Sequence, residues 1–210
     1  KDIIKMYKQK NKNVQFYKEH YSNHNEYKRN LEPMYKTINS LINFNCKSFL
    51  DYGCGRSNLS ELFYERKKYK VYKYDPAIEE YNQLKDDLKV DLIANCDVME
   101  HIPEDEIDDM LNHISSISKN VFFNIYLKKA QTILPNGENA HCTVKPKKWW
   151  INKINKYFKT TNIIKTTYKN SISIITWNIS NRDRLILLIN NTIIVVEFII
   201  WKLRKVILNR

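Results

Sequence analysis

The chain has 210 residues, of which 43% are hydrophobic, 12% aromatic and 28% charged. This composition excludes a wholly disordered protein, because such chains lack the apolar surface that offsets the entropy of ordering. Only three residues are glycine, against an average of about 7%, which excludes collagen-like and glycine-rich linker sequences. The net charge of +12 is divided into +6 over residues 1–50, −8 over 51–118 and +14 over 119–210. The basic C-terminal part is either a surface for anionic partners or a solvated lysine surface.

The first residues are predicted to form an N-terminal helical cap, residues 1–44. Residues 2–21 have helical character, and a second helix is predicted over 33–44. Pro33 lies in the first turn of that helix, where its missing N–H costs little. The apolar stripe of the second helix consists of Met34, Ile38, Leu41 and Ile42, a helical spacing.

Strands and helices alternate over residues 45–180. The predicted strands are 46–52, 69–74, 90–94 and 120–126, and the predicted helices are one containing Leu59, Leu62 and Phe63 and others over 77–84, 103–117 and 146–158. The last two β-rich segments, 162–168 and 171–179, resemble a closing antiparallel hairpin. This order predicts an α/β domain with a doubly wound, mostly parallel sheet and helices on both faces.

The C-terminal segment, residues 181–210, is predicted to form a hydrophobic helix. Residues 192–203 are almost wholly apolar, and Asn190-Asn191 separates this run from the apolar residues 185–189. This apolar run is too short for a membrane-spanning helix, which needs about 20 residues. A helix buried in the core or in a dimer, an interfacial membrane helix and a spanning helix are the three interpretations. Homodimerisation or peripheral membrane contact is assigned to residues 185–208.

Two of the three glycines lie in Asp51-Tyr-Gly-Cys-Gly55, between a predicted strand and a predicted helix. Glycines there allow a tight turn and a close approach of the main chain to a ligand. The free N–H groups of the following helix can then bind a negative or polar group. Asn58 occupies the position of the third glycine in a dinucleotide fingerprint, so that fingerprint is incomplete.

Asp75 and Pro76 end the next predicted strand. Asp75 lies twenty positions after Gly55, where an acidic side chain can accept hydrogen bonds from both hydroxyls of a ribose. Capping of the following helix is the alternative role of Asp75, and one carboxylate can do both.

Together with Asp97-Val-Met-Glu-His101 after the third predicted strand, these motifs resemble those of class I S-adenosylmethionine-dependent methyltransferases. The resemblance covers residues 34–178 and implies a Rossmann-like fold with S-adenosylmethionine as cofactor. It implies that the glycine turn holds the methionine part of the cofactor, that Asp51 lies near its amino group and that Asp75 binds the ribose. The cofactor-binding residues expected on this basis are Asp51, Gly53, Cys54, Gly55, Asp75, Pro76, Cys96 and Asp97.

The spacing departs from the family pattern after Asp75. About fourteen residues separate Asp75 from Val90, which is too few for the usual crossover through an additional strand. We therefore expect one edge strand to be missing, and Asn95, Cys96 and residues 81–84 to contact the adenine.

The Asp97-x-x-Glu100-His101 segment resembles that of ubiquinone-pathway O-methyltransferases and of small-RNA 2′-O-methyltransferases, some of which bind a divalent metal there. Carboxylates and imidazoles suit Mg²⁺ or Mn²⁺. The candidate metal ligands are Asp97, Glu100, His101 and His141. Many relatives carry Glu-His here without a metal, so a purely structural role for the segment is the favoured alternative.

His141 lies in a predicted loop after the fourth strand and is the first candidate for a general base, with His101 the second. A loop histidine that is merely hydrogen-bonded is the alternative. The residues that follow, Lys145, Lys147, Lys148, Trp149 and Trp150, combine lysines with aromatics. Lysines can contact phosphates, and aromatic side chains can stack on a base or sugar. The alternative is that the two tryptophans pack the helix onto the sheet.

These observations predict an enzyme that O-methylates a small, anionic metabolite, a glycan or a lipid headgroup. An RNA 2′-O-methyltransferase and a non-catalytic cofactor-binding protein of the same fold are the alternatives. Nucleic acid is the less favoured acceptor, because no added RNA-binding domain is visible. Four cysteines without a CxxC pair indicate a reducing compartment, and no secretion signal is recognisable. We expect a cytoplasmic protein that associates with membranes if its C-terminal helix binds lipid.

Overall fold

The computed structural model describes residues 12–23, 29–134 and 137–208. The helices are α1 (Lys12–Asn23), α2 (Glu32–Leu41), α3 (Leu59–Lys67), α4 (Ile107–Ile117), α5 (Lys147–Ile154) and α6 (Asn181–Leu208). The strands are β1 (Ser48–Tyr52), β2 (Lys70–Tyr74), β3 (Leu92–Cys96), β4 (Val121–Tyr126), β5 (Asn162–Ile164) and β6 (Ser171–Ile175). The first part of the helix predicted over 2–21 lies outside the described residues.

The six strands form one sheet in the order β2-β1-β3-β4-β6-β5. Strands β1 to β4 pair in parallel, whereas β6 runs antiparallel to both β4 and β5. The predicted Rossmann-like α/β fold and its closing hairpin are therefore confirmed.

Helices cover both faces of the sheet. Consecutive residues of a strand point to opposite faces, so Phe49 packs with α2 and α3 while Leu50 packs with α4. In the same way, Phe122 lies in the apolar cluster with α2 and α3, and Phe123 lies in the apolar cluster with α4. Burial on both faces explains why these strands are continuous apolar runs without a polar alternation.

The connection between β2 and β3 is shorter than in the family pattern. Among the described residues it contains a 3-10 turn, Glu79–Tyr81, and no strand, so the expected loss of an edge strand is confirmed. The helix predicted over 77–84 is wrong, because the segment has no buried side chain between 78 and 87 and so lacks the packing that sustains a helix. Strand β3 also begins two residues later than predicted.

Helix α6 runs unbroken through Asn190-Asn191, which confirms the predicted C-terminal helix. The Asn191 amide donates a hydrogen bond to the Lys165 carbonyl at 2.7 Å, and the two asparagines are half-buried against the domain. A continuous helix from 181 to 205 is long and apolar enough to cross a membrane by length and composition alone, and 11% of its apolar stretch is buried. The helix is thus longer than the apolar run 192–203, and most of its apolar stretch is not buried in this chain's own core.

Candidate active site

A cavity of about 330 Å³ opens where strands β1, β2 and β3 end. Its lining includes all of the predicted cofactor-binding residues, namely Asp51, Gly53, Cys54, Gly55, Asp75, Pro76, Cys96 and Asp97. Ala77, Val98, Ile102 and Met110 add an apolar surface, which suits an aromatic base. Of the residues expected to contact the adenine, Cys96 lines the cavity, whereas the Asn95 amide donates to the Tyr52 carbonyl within the sheet.

The glycine turn, residues 53–55, lines the cavity, and its two glycines present only main-chain atoms there. The N–H groups of Gly53 and Cys54 donate to the Tyr74 carbonyl at 2.7 and 3.0 Å, which ties the turn to the end of β2. Gly53 has φ +81°, and a Cβ there would lie 2.4 Å from a methyl carbon of Val98. Gly55 has φ +48°, and a Cβ there would lie 2.8 Å from the Tyr21 hydroxyl oxygen. Both positions therefore favour glycine for their backbone conformation, and Gly53 also for space beside Val98.

Asp75 joins the glycine turn to the turn that follows β2. Its two carboxylate oxygens accept hydrogen bonds from the Gly55 N–H at 2.8 Å and the Ala77 N–H at 2.9 Å. Burial raises the pKa of this carboxyl, and the two N–H groups oppose the shift. Because each carboxylate oxygen has a second acceptor site, Asp75 can bind a ribose as well as hold the turn.

Asp51 is a second buried carboxylate on the cavity. One of its oxygens accepts hydrogen bonds from the hydroxyls of Ser57 and Ser60, each at 3.2 Å. Burial raises the pKa of Asp51 to about 7, and the two hydroxyls act in the opposite direction. Asp51 therefore changes its charge near neutral pH.

Arg29 is a residue of this cavity that the sequence patterns did not indicate. Its guanidinium forms an ion pair with Asp97, and its main chain bonds to Arg56 and Asn58 beside the glycine turn. Asp97 is held further by the Asn124 amide at 2.5 Å and has a left-handed φ of +56°. The ion pair joins residues 68 positions apart, so no local pattern could have revealed it.

Glu100, His101 and His141 form a compact cluster, in which one possible ligand atom from each residue lies within 4.8 Å of the others. The Glu100 carboxylate is fully buried, and one oxygen accepts the Tyr126 N–H at 3.1 Å. Its second oxygen has no hydrogen-bond partner. Asp97, the fourth predicted metal ligand, is held by Arg29 and Asn124 and lies outside this cluster.

Main-chain carbonyls fix the tautomers of both histidines. Nδ1 of His101 lies 2.9 Å from the Ala140 carbonyl, and Nδ1 of His141 lies 2.6 Å from the Lys128 carbonyl. A carbonyl only accepts hydrogen bonds, so each Nδ1 carries the proton and each Nε2 offers a lone pair. Burial, followed by the neighbouring His141, lowers the pKa of His101 to about 4, which keeps His101 neutral at physiological pH.

The tryptophans of α5 have different surroundings. Trp150 is fully buried in the core beneath the sheet, so packing rather than base stacking is confirmed for it. Trp149 is half-buried between the ammonium groups of Lys145 and Lys153, which lie 5.5 and 5.3 Å from its ring centre. Lys147 and Lys148 are exposed at the start of α5.

The comparisons with known proteins agree with this geometry. The family described as a methyltransferase domain matches residues 17–158, which is more than half of the chain, so the chain belongs to that family. A search of curated proteins gave no match.

Three solved structures illustrate the shared fold. An O-methyltransferase family protein from Burkholderia thailandensis is 10% identical with a TM-score of 0.53, over 71% of this chain and 56% of that one. The PH0226 protein from Pyrococcus horikoshii OT3 is 14% identical with a TM-score of 0.52, over 69% and 87%. Mitomycin 7-O-methyltransferase MmcR is 10% identical with a TM-score of 0.51, over 67% and 52%. At these identities the likeness shows the fold alone, and the chain spans only about half the length of two of these proteins.

The family match and the fold together define the class of protein. The chain belongs to a family of S-adenosylmethionine-dependent methyltransferases and has a Rossmann-like α/β fold.

Proposed function

We propose that the enzyme transfers the methyl group to a hydroxyl of a small anionic acceptor, which is a metabolite, a glycan or a lipid headgroup. The observation that carries the proposal is the cluster of Glu100, His101 and His141 beside the cofactor cavity. His101 lines the cavity. The ring of His141 packs edge-on against the ring of His101, with the ring centres 4.6 Å apart. A hydroxyl becomes a good nucleophile when a neighbouring group removes its proton, so such a cluster favours O-methylation.

The cofactor fits the cavity through charges that this chain supplies. S-adenosylmethionine, when bound, provides an electrophilic methyl group on a sulfonium centre. Asp75 would accept the ribose hydroxyls and Asp51 would face the ammonium group. Arg29 would meet the carboxylate, because its guanidinium already pairs with an acid, Asp97, in the cavity lining.

His141 is the better of the two candidate bases. His101 is a weak proton acceptor, because its pKa is lowered to about 4. The Lys128 carbonyl holds the His141 ring with Nε2 as the acceptor atom. In the absence of a metal, we assign the removal of the acceptor proton to His141.

The same cluster fits a divalent cation. The Glu100 oxygen without a partner can be neutralised by a proton, because burial raises the pKa of this carboxyl well above its usual range, or by a cation. Two imidazoles with carbonyl-bonded Nδ1 atoms have the orientation that metal-binding histidines adopt. A cation held by Glu100, His101 and His141 would lower the pKa of a hydroxyl in contact with it.

Transfer of label from S-adenosylmethionine to fractionated cell extract tests the proposal. We expect the labelled product to be a small, anionic O-methyl compound, and His141→Ala to lower kcat at least about 100-fold. Cys142→Ala, which alters the next residue of the same loop, serves as the control and should keep kcat. Loss of activity in EDTA and recovery with Mg²⁺ or Mn²⁺ would assign the cluster to a metal, whereas full activity in EDTA would leave His141 as the base.

Two results would contradict the proposal. Labelling confined to amines or to the 2′-hydroxyls of added RNA oligonucleotides would exclude the proposed acceptor class. Full activity of His141→Ala, in a protein that still binds S-adenosylmethionine, would exclude the role of the cluster.

A further inference from the structure

Helix α6 presents a large apolar surface that the domain does not cover. Eleven large apolar side chains of α6 are between 44% and 60% exposed, while Leu187 and Ile194 are the buried ones among its described side chains. Soluble monomers rarely expose contiguous apolar surface on this scale. The surface therefore has an occupant.

One side of α6 is held by the domain. Leu187 and Ile194 are buried, and Asn191 lies between them with its hydrogen bond to the Lys165 carbonyl. One turn further on, Glu197 forms an ion pair with Lys36 of α2 at 2.7 Å. These contacts recur every three or four positions, so they define one face of the helix, and that face contains the polar residues that interrupt the apolar sequence.

The opposite side, here called the outward face, is apolar along its whole length. It extends from Leu185 to Leu203, which is about 27 Å at 1.5 Å per residue. Its centre consists of Leu185, Ile189, Val196, Ile199, Ile200 and Leu203. Thr192 is its polar member, and its hydroxyl donates to the Leu188 carbonyl at 3.0 Å, so the outward face offers no free hydroxyl there.

Basic side chains border the outward face. At 100° per residue, Arg184 and Lys202 lie along one edge and Arg204 along the other. Long basic side chains at such edges can extend to lipid phosphates while their methylene groups cover apolar surface. The sector between the edges is about 200° wide at 100° per residue, which exceeds the narrow seam of a two-stranded coiled coil. A lipid surface can cover a sector of this width.

We propose that α6 lies in the plane of an anionic membrane surface, with the outward face in the acyl region and the domain on the aqueous side. A helix that is polar on its docked side and apolar on the other has the design of an interfacial helix. The contacts of Leu187, Asn191 and Glu197 hold α6 against the domain over much of its length, and a spanning orientation would break them.

Co-sedimentation of the full chain with vesicles tests the proposal. One vesicle preparation is phosphatidylcholine with one third phosphatidylserine, and the other is phosphatidylcholine alone. We expect binding to the anionic vesicles that falls at least about tenfold without phosphatidylserine. Val196→Asp with Ile200→Asp, two changes on the outward face, should weaken binding more than about 100-fold.

A second pair of substitutions controls for position. Phe198 and Trp201 stack on each other with ring centres 6.0 Å apart. They are 52% and 51% exposed, but by helical spacing they lie on the face of α6 that contains Leu187 and Ile194. Phe198→Asp with Trp201→Asp removes as many apolar residues and adds the same charge, and it should retain most of the binding. An unchanged thermal shift with S-adenosylmethionine shows that each variant is folded.

Three outcomes would overturn the proposal. If the wild-type protein binds neither vesicle preparation, a lipid occupant is excluded. Equal loss from the two pairs of substitutions excludes the in-plane orientation. A lipid-free dimer that the Val196/Ile200 pair dissociates, without vesicle binding, identifies a second copy of the chain as the occupant.

Discussion

Two buried aspartates at the cofactor cavity are stabilised in different ways. Asp75 receives two main-chain N–H groups, whereas Asp51 receives two serine hydroxyls. Main-chain N–H groups are fixed by the turn, while a hydroxyl can rotate and either donate or accept. Asp51 can therefore be protonated without a clash, and Asp75 is better suited to remain a carboxylate.

Asp75→Asn should weaken S-adenosylmethionine binding. The substitution keeps the shape of the side chain but replaces one charged carboxylate oxygen with an NH2 group, which cannot accept a hydrogen bond. Loss of a hydrogen bond to a charged group costs about 1.5–3 kcal/mol, so we expect a roughly 10- to 150-fold higher Kd in calorimetry. Unchanged affinity would exclude Asp75 as the ribose ligand.

Asp91→Asn is the matched control for this experiment. Asp91 also accepts main-chain N–H groups, those of Lys47 and Ser48 at 2.9 Å each, but it lies before β3 at the opposite edge of the sheet. We expect both variants to lower Tm, because each loses a buried or partly buried acceptor. Only Asp75→Asn should raise the Kd for the cofactor.

Asp51 should make cofactor binding depend on pH. Its pKa is raised to about 7, and a cationic ammonium binds the ionised carboxylate. The affinity is therefore full above about pH 7 and falls as the pH decreases, by about tenfold per unit below the pKa. Calorimetry between about pH 5.5 and 7.5 measures this, because an α-amino group of pKa about 8 stays protonated there.

Two variants check that Asp51 is the titrating group. Asp51→Asn should bind weakly with a flat profile over the same pH range. Ser60→Ala removes a hydroxyl that lowers the pKa of Asp51, so the midpoint should move to higher pH. A wild-type profile that is flat between pH 5.5 and 7.5 would contradict the assignment of Asp51 to the ammonium group.

At the scale of single elements, the parts of the site built from local sequence were predictable. The glycine turn follows β1 directly, and both its backbone angles and its contacts demand the residues that the sequence shows. Asp75 and Asp97 each follow a strand whose observed end lies within two residues of the predicted end. Parallel strands bring their carboxyl ends to one edge of the sheet, so the topology alone gathers these residues.

The parts built from distant segments were not predictable. Arg29 reaches Asp97 from a stretch between two helices that has no periodicity, and His141 reaches His101 from a long loop. Asn190-Asn191 divides the apolar run in the sequence, but within the helix the side-chain NH2 of Asn191 donates to the Lys165 carbonyl after β5. Tertiary hydrogen bonds override local propensity in such places.

The position of helix α1 at the cavity was likewise not predictable from local sequence. Its apolar and aromatic residues are spaced irregularly, because several of them face the cavity instead of the core. The Tyr17 hydroxyl lies 3.0 Å from Nδ1 of His101, and the Tyr21 carbonyl accepts a hydrogen bond from Arg56 at 2.7 Å. Helix α1 thus forms part of the cavity wall beside the cofactor residues.

At the scale of the whole molecule, charge separates the two halves of the site. The acidic residues 51–118 build most of the cavity, whereas residues 119–169 contain eleven lysines and one acid, Glu138. Part of this basic charge is neutralised, because Lys145 pairs with Glu104 and Lys153 with Asp108. Lys147 and Lys148 remain exposed in the first turn of α5, where positive charges oppose the helix dipole and reduce stability.

Reversing these two charges should change stability and acceptor binding in opposite directions. Lys147→Glu with Lys148→Glu should raise the free energy of unfolding by about 0.3–1 kcal/mol per residue, because the helix dipole stabilises acidic side chains near a helix N-terminus. For an anionic acceptor, the same change should raise KM about three- to tenfold at low salt and leave kcat nearly unchanged, and the difference should shrink as salt screens the field over about 8–10 Å. Lys67→Glu with Lys85→Glu changes the net charge equally near the opposite edge of the sheet and should leave KM unaltered. A KM that is independent of salt and equal in both variants would show that the lysines only solvate the surface.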